Sequence, residues 1–221
     1  MIKIAPSMVS APFADLRAVI KELENAGADL LHFDLEDGNF VPVMTLGVKI
    51  ISEIRALTQL PFDVHLMVQN PEWLIPELAQ MNVDMLSVHY EACLYPRRTL
   101  KMISQYKMKA GLAFNPKTPL PSLRYFLPYL SVVDILTTEP EQGDSSYLPP
   151  VRNKVSEGRK QTGLEHIQWE VDGAISTDNA AEVVAAGTDI IVAGRSIFKT
   201  GRIAQNLLAL RSACYLDKKA N

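Results

Sequence analysis

The chain has 221 residues, of which 48% are hydrophobic and 21% are charged, and its formal net charge is −3. This length and composition are typical of a soluble globular protein with a sizeable core. The slightly acidic balance disfavours a nucleic-acid partner, because nucleic-acid-binding proteins usually present a basic face. No apolar run approaches the roughly 20 residues that span a bilayer, and the first residues lack a signal peptide. We therefore expect a cytoplasmic protein without a membrane partner.

Short apolar runs alternate with longer segments of helical period along the whole chain. The runs predict strands over 2–5, 30–34, 62–67, 85–89, 110–114, 132–137, 167–172 and 190–193. The longer segments predict helices over 13–26 and 48–57, near Pro71, Pro96, Pro119, Pro149 and Thr177, and over 203–215. Proline close to a helix start is expected, because its fixed φ and missing N–H are tolerated there.

Eight strand–helix units in this length average roughly 28 residues each, which predicts a single (β/α)8 TIM barrel domain over 1–221. The alternative is an open doubly wound sheet. That fold would normally carry a glycine-rich phosphate fingerprint after the first strand. The first predicted strand is followed instead by Pro6-Ser7-Met8-Val9-Ser10, so the barrel is favoured.

Four side chains that can bind a metal stand at the ends of three predicted strands. His32 and Asp34 close the second strand, His65 stands near the end of the third, and Asp172 closes the seventh. Each has a simpler explanation on its own: a satisfied polar pair, a core histidine or a turn aspartate. Parallel barrel strands, however, bring their C-terminal ends to one face. Two imidazoles and two carboxylates meeting there predict a divalent-cation site with room for a substrate.

Two carboxylates on opposite sides of a cation suit proton transfer at a carbon next to a ketone. The cation would stabilise the enediolate that forms when the proton leaves. Asp34 and Asp172 would act as base and acid, one ionised and the other protonated, which inverts the carbon. Of the other histidines, His89 faces the same mouth without an apparent partner and is expected to be structural or to support a ligand. His166 is expected at the surface of the opposite rim.

Several motifs closely resemble the ribulose-phosphate 3-epimerase family, and they occur in family order from residue 4 to about 198. They are Ala5-Pro6-Ser7, His32-Phe33-Asp34-Leu35-Glu36-Asp37-Gly38-Asn39-Phe40-Val41-Pro42, Asp63-Val64-His65-Leu66-Met67, Asn115-Pro116-x-Thr118-Pro119 and Glu170-Val171-Asp172-Gly173. The resemblance implies a barrel enzyme that inverts C3 of a ketose phosphate, such as ribulose 5-phosphate and xylulose 5-phosphate.

The same resemblance implies a site. One divalent metal (Zn, Fe(II), Mn or Co) would be held by His32, Asp34, His65 and Asp172, with the two aspartates as the catalytic acid and base. Ser7, His65 and Met67 would contact the sugar phosphate.

The chain departs from the family where the family binds phosphate. The glycine-rich loop after the sixth strand, usually Asn-Pro-Gly-Phe-Gly-Gly-Gln, is Glu139-Pro140-Glu141-Gln142-Gly143-Asp144-Ser145 here. Glu141 and Asp144 would repel an anion that the glycine amides otherwise approach closely. Gly143 remains a predicted substrate contact.

Further departures follow strands seven and eight. The usual Gly-Gly is Gly173-Ala174, and the usual Gly-Ser is Gly194-Arg195-Ser196. These four positions (173, 174, 194 and 195) are predicted substrate contacts, and Arg195 is a hypothetical charged partner of phosphate. Glu36 and Leu136 stand where the family places two methionines that cap the enediolate.

Four functions remain to be compared. The first is the ketose-phosphate 3-epimerase, and the second is the same chemistry on another ketose, either a ketohexose phosphate such as allulose 6-phosphate or an unphosphorylated sugar. Decarboxylation or aldol cleavage is disfavoured, because Glu36 falls where the related decarboxylases need a lysine. The fourth is a non-catalytic barrel that binds a sugar phosphate. A homo-oligomer is left open.

Overall fold

A computed structural model of the chain, which describes residues 1–140, 146–161 and 163–215, contains one sheet of eight parallel strands. The strands are β1 (Lys3–Pro6), β2 (Leu31–Glu36), β3 (Phe62–Met67), β4 (Met85–His89), β5 (Lys109–Phe114), β6 (Leu130–Leu136), β7 (Gln168–Asp172) and β8 (Ile190–Ala193). Their order in the sheet is β1-β8-β7-β6-β5-β4-β3-β2. A parallel bridge between Ser7 and His32 joins the β1 edge to the β2 edge. The predicted barrel is confirmed, with strand ends within two residues of the expected positions.

Among the described residues, six helices lie between successive strands and two follow β8. They are α1 (Leu16–Asn25), α2 (Val48–Arg55), α3 (Ile75–Gln80), α4 (Pro96–Gln105), α5 (Asn153–Gly158), α6 (Ala180–Ala185), α7 (Arg195–Phe198) and α8 (Ile203–Ala213). In α1 the spacing that predicted the helix also gives its buried face, since Val19, Ile20 and Leu23 are buried. None of the helices in the described part of the chain is long and apolar enough to cross a membrane.

The helix predicted near Pro119 is wrong. Residues 115–129, all of which the structure describes, contain only the 3-10 turn Leu123–Phe126 between β5 and β6. Pro119, Pro121 and Pro128 explain this, because each removes a backbone donor and restricts the residue before it. The six residues that separate Pro121 from Pro128 are too few for a stable helix. A 3-10 turn, Pro149–Arg152, likewise delays the start of α5 to Asn153.

The interior of the barrel holds a group of buried polar side chains and a small apolar cluster (Ala5, Leu30, Met85, Val132, Ile190 and Val192), whereas the layer between the sheet and the helices is apolar. Alternate residues of a strand point to opposite faces of the sheet. On β2, Phe33 faces the apolar layer, where its ring packs 4.8 Å from that of Phe62. His32 and Asp34 therefore face the barrel axis. The strands thus direct chemically active side chains towards one enclosed volume.

Candidate active site

The four predicted metal-binding side chains converge at the C-terminal end of the barrel. One ligand atom from each of His32, Asp34, His65 and Asp172 lies within 4.8 Å of all the others. Nε2 of His32 lies 3.1 Å from Oδ1 of Asp34 and 3.9 Å from Oδ2 of Asp172. Nδ1 of His65 lies 3.2 Å from Oδ1 of Asp34 and 3.7 Å from Oδ2 of Asp172. Two nitrogens and two oxygens therefore face one point.

These residues fit a divalent cation. Nδ1 of His65 is buried, and although Oδ1 of Asp34 lies 3.2 Å away, its geometry makes no hydrogen bond with any described residue, which is costly unless something binds it. Burial alone would lower the pKa of His65, but the carboxylates of Asp172 and Asp34 outweigh it and raise that pKa to about 10. Burial would also lower the pKa of His32, but Asp34 and Asp63 outweigh it and raise that pKa well above the usual value. Both shifts reveal excess negative charge that a cation would neutralise.

Two neighbouring side chains orient these groups. Nδ1 of His32 forms a 2.7 Å hydrogen bond with Oδ2 of Asp63, which directs Nε2 of the same ring to the cluster. The hydroxyl of Ser7 donates to Oδ2 of Asp34 over 2.9 Å, which leaves Oδ1 facing the histidines. Burial favours the protonated form of Asp34, but His32 and His65 outweigh it and hold its pKa well below the usual value.

A cavity of about 310 Å³ opens above the cluster at the barrel mouth. Asp34 and Asp172 line the bottom of this cavity, while His32 and His65 lie just beneath it and are fully buried. These four residues are called the floor of the cavity. Of the predicted substrate contacts, six also line the cavity: Ser7, Met67, Gly173, Ala174, Gly194 and Arg195. Gly143, together with Glu141 and Asp144, lies outside the described residues.

The segments that follow β7 and β8 line the cavity and form part of its rim. Gly173 has φ +116°, and a Cβ there would lie 2.2 Å from a side-chain carbon of Thr138, so only glycine fits. Ala174 also has a positive φ, +53°, a conformation that costs an L-residue roughly 1–2 kcal/mol. A Cβ on Gly194 would lie 2.4 Å from Oγ of Ser10. Arg195 is exposed and begins α7.

Acidic side chains also line the cavity. Glu36, two residues beyond Asp34 on β2, is half-buried, and its Oε2 accepts a 2.8 Å hydrogen bond from the backbone N–H of Thr45. Burial raises the pKa of Glu36. Glu139 is exposed on the rim of the cavity, after β6, and Leu136, the last residue of that strand, is buried. The cavity is therefore more acidic than a phosphate site would require.

Three buried carboxyl groups deeper in the barrel were missed by the sequence reasoning. Asp63, Asp134 and Glu170 are fully buried, and both oxygens of Asp134 and of Glu170 lack hydrogen-bond partners among the described residues. Burial raises the pKa of Asp134 to about 7 and that of Glu170 well above its usual value. The sequence does indicate where two of them point. Asp63 and Glu170 precede His65 and Asp172 by two positions, and residues two apart share one face of a strand.

His89 has a partner that the sequence did not reveal. Its Nδ1 lies 3.2 Å from Oε2 of Glu91, in the turn after β4, and its Nε2 lies 2.9 Å from Nε2 of His65. Burial lowers the pKa of His89 to about 4. The expectation that His89 supports a ligand agrees with this contact, whereas its apparent isolation was wrong. His166 is exposed before β7, as expected.

Comparisons of the sequence with known proteins match it to one family over most of its length. Residues 3–198 match the model of the ribulose-phosphate 3-epimerase family. Ribulose-phosphate 3-epimerase from Bacillus subtilis (strain 168) is 39% identical over 201 residues, covering 90% of this chain and 93% of the relative. The enzyme of the same name from Escherichia coli (strain K12) is 38% identical over 200 residues, 88% of each chain.

Solved structures show the same fold at low sequence identity. KGPDC from Streptococcus mutans aligns with a TM-score of 0.73 and 12% identity over 96% of this chain and 97% of that one. A 3-hexulose-6-phosphate synthase aligns with a TM-score of 0.69 and 13% identity over 96% of this chain and 99% of that one. These likenesses support the barrel alone.

Proposed function

The chain belongs to the ribulose-phosphate 3-epimerase family, and from this premise we propose that it inverts C3 of a ketose phosphate of the ribulose 5-phosphate type. The predictions of the family and of an isomerase are confirmed. The observation that carries the proposed reaction is the convergence of Asp34 and Asp172 with two histidines at the floor of the cavity.

The two aspartates supply the proton transfers in this proposal. One carboxylate removes the proton from C3 and the C3–H electron pair enters the enediolate. The other carboxyl group then returns a proton to the opposite face of C3, and exchange with solvent resets the pair. Both groups reach the cavity, Asp34 from β2 and Asp172 from β7, so a sugar lying between them would present opposite faces to them.

Nε2 of His32, Nδ1 of His65 and one oxygen each of Asp34 and Asp172 would hold the cation. When bound, a divalent ion at this point would stabilise the negative charge that develops on the enediolate oxygens. The donor set suits Zn, Fe(II), Mn or Co. Ser7 keeps Asp34 oriented through its hydroxyl, and Met67 covers the cavity wall with an apolar surface.

The phosphate of the substrate would lie against the rim formed by Gly173, Ala174, Gly194 and Arg195. Gly173 lets the backbone approach a ligand closely, and the Arg195 guanidinium would pair with the dianion. From the sequence alone, we also infer that Gly143 contacts the substrate.

A second candidate is the same epimerisation on another ketose, including one without phosphate. Glu36 and Glu139, which both line the cavity, favour it. Carboxylates accept hydrogen bonds from sugar hydroxyls, whereas they repel a phosphate.

Purified, cation-loaded protein tests both candidates on a matched panel. Ribulose 5-phosphate, allulose 6-phosphate and the two unphosphorylated sugars would each be incubated with the enzyme, and the C3 epimers separated by chromatography. The first candidate predicts the highest kcat/KM for a phosphorylated ketose. A higher value for a free sugar would support the second candidate, and no epimer from any of the four would contradict both.

A further inference from the structure

A line of hydrogen-bonding side chains runs from the cluster into the wall of the barrel behind His65. Nε2 of His65 meets Nε2 of His89 at 2.9 Å, and Nδ1 of His89 meets Oε2 of Glu91 at 3.2 Å. The other carboxylate oxygen of Glu91 accepts a 2.9 Å hydrogen bond from the backbone N–H of Asn115. The line ends on backbone, which fixes the position of the carboxylate.

The direction of each hydrogen bond follows from the role of His65. If Nδ1 of His65 is to bind a cation, its lone pair must be free, so the proton of this ring lies on Nε2. That proton needs an acceptor, and Nε2 of His89 faces it. His89 must then carry its own proton on Nδ1, where the carboxylate of Glu91 accepts it.

The surroundings of His89 protect this arrangement from water. Both histidines are fully buried. The ring of Phe40, from the turn after β2, covers His89 with its centroid 4.5 Å away. A buried ring with one neighbour on each nitrogen has little freedom to flip, so the tautomers along the line are fixed together.

We propose that His89 and Glu91 are positioning residues that hold His65 in the tautomer whose Nδ1 binds the cation. This rests on the proposed function only in taking His65 as a ligand. His32 achieves the same end differently, since Asp63 binds its Nδ1 directly at 2.7 Å. The two histidine ligands thus have unlike supports, a carboxylate for one and a neutral imidazole backed by a carboxylate for the other.

Cation affinity provides the first test. His89→Phe keeps an aromatic ring in the space but removes the acceptor, so affinity for Zn²⁺ or Mn²⁺, measured by competition with a chromogenic chelator, should fall roughly 10- to 100-fold. Glu91→Gln should cause an intermediate loss, because its amide cannot accept from both His89 and Asn115. Ser87→Ala is the matched control. It removes another buried polar group of β4, two residues before His89, and affinity should stay within about twofold. Wild-type affinity in a folded His89→Phe protein would overturn the proposal.

Side-chain ¹⁵N NMR of the wild-type, zinc-loaded protein gives a second test that needs no variant to fold. The expected spectrum has His65 protonated at Nε2, and His89 protonated at Nδ1 with a bare Nε2. A proton on Nε2 of His89 would overturn the proposal. Neither measurement follows epimerisation, so an inactive protein with these tautomers would contradict the proposed function and leave the positioning roles intact.

Discussion

The floor and the rim of the cavity differ in how their residues are held. On the floor, His32, Asp34 and His65 lie within strands, are at most 4% exposed, and each contacts a further buried side chain that orients it. On the rim, Glu139 and Arg195 are exposed, and Ala174 occupies a strained backbone conformation. The residues that would move protons are therefore fixed by sheet register, whereas those that would recognise the phosphate lie beyond the ends of the strands.

This difference indicates which parts of such a chain can change in sequence without loss of the chemistry. Loops at the C-terminal end of a barrel can change without disturbing the strands, so substrate preference can alter while the chemistry is kept. The departures from the family pattern at positions 139, 174 and 195 fall on the rim, and those at positions 36 and 136 stand at the last residues of β2 and β6. The proposed ligand set on the floor matches the pattern. The following predictions test whether floor and rim are separable in this way.

Removing the cation from the floor should have the largest effect. Dialysis against a chelator should abolish epimerisation, and one equivalent of Mn, Co, Zn or Fe(II) per chain should restore it. Ligand binding to the folded state also stabilises it, by about 2.7 kcal/mol when the free ion is 100 times its dissociation constant. Thermal unfolding with and without the ion measures this. Full activity in protein shown by elemental analysis to contain no metal would contradict the prediction.

Arg195→Ala should weaken phosphate recognition at the rim without touching the floor. A hydrogen bond to a charged group is worth about 1.5–3 kcal/mol, so KM for the phosphorylated substrate should rise roughly 10- to 100-fold. The kcat/KM for the unphosphorylated sugar should stay unchanged. Arg202→Ala, at another exposed arginine outside the cavity, is the control. An equal loss on both sugars would mean that Arg195 does not recognise phosphate.

Glu139→Gln should have a smaller effect of opposite sign. Removing one negative charge near the bound dianion should raise kcat/KM for a ketose phosphate roughly threefold at low salt, and the gain should shrink as ionic strength screens it. Glu165→Gln, before β7 and thus at the other end of the barrel, should change nothing. A salt-independent change would argue against an electrostatic cause.

Ala174→Gly should produce the smallest effect, which we expect on stability. Glycine accepts the positive φ of +53° without strain, so the free energy of unfolding should rise by roughly 0.5–1 kcal/mol after the entropic cost of glycine. Ala186→Gly, at φ −70° after α6, should instead lower it. Denaturant titration of the two variants compares them directly, and a destabilised Ala174→Gly protein would show that the strain is absent.

Much of the floor could be predicted from the sequence because strand periodicity is local. His32 and Asp34 stand two apart, and parallel topology brings them to Asp172. The buried polar residues around the predicted site were harder to predict. Glu91 contacts His89 through the 3-10 turn Tyr90–Ala92, whose geometry the sequence does not give. Asp134 stands in β6, which carries no predicted ligand that would indicate which face of the strand points inwards. The helix predicted near Pro119 is absent for another reason. Closely spaced prolines prevent a helix at a place where the repeating strand–helix pattern predicted one.

The most direct test of the account is deuterium exchange at C3 by two single variants, Asp34→Asn and Asp172→Asn, each with its cation content measured. In D₂O the wild-type protein should incorporate deuterium at C3 from either epimer of the substrate. Each variant keeps an oxygen ligand but lacks one proton-transfer group, so it should exchange the C3 hydrogen of one epimer only, and the two variants should differ in which. Exchange of both epimers by either cation-loaded variant, or none by the wild type, would contradict the account.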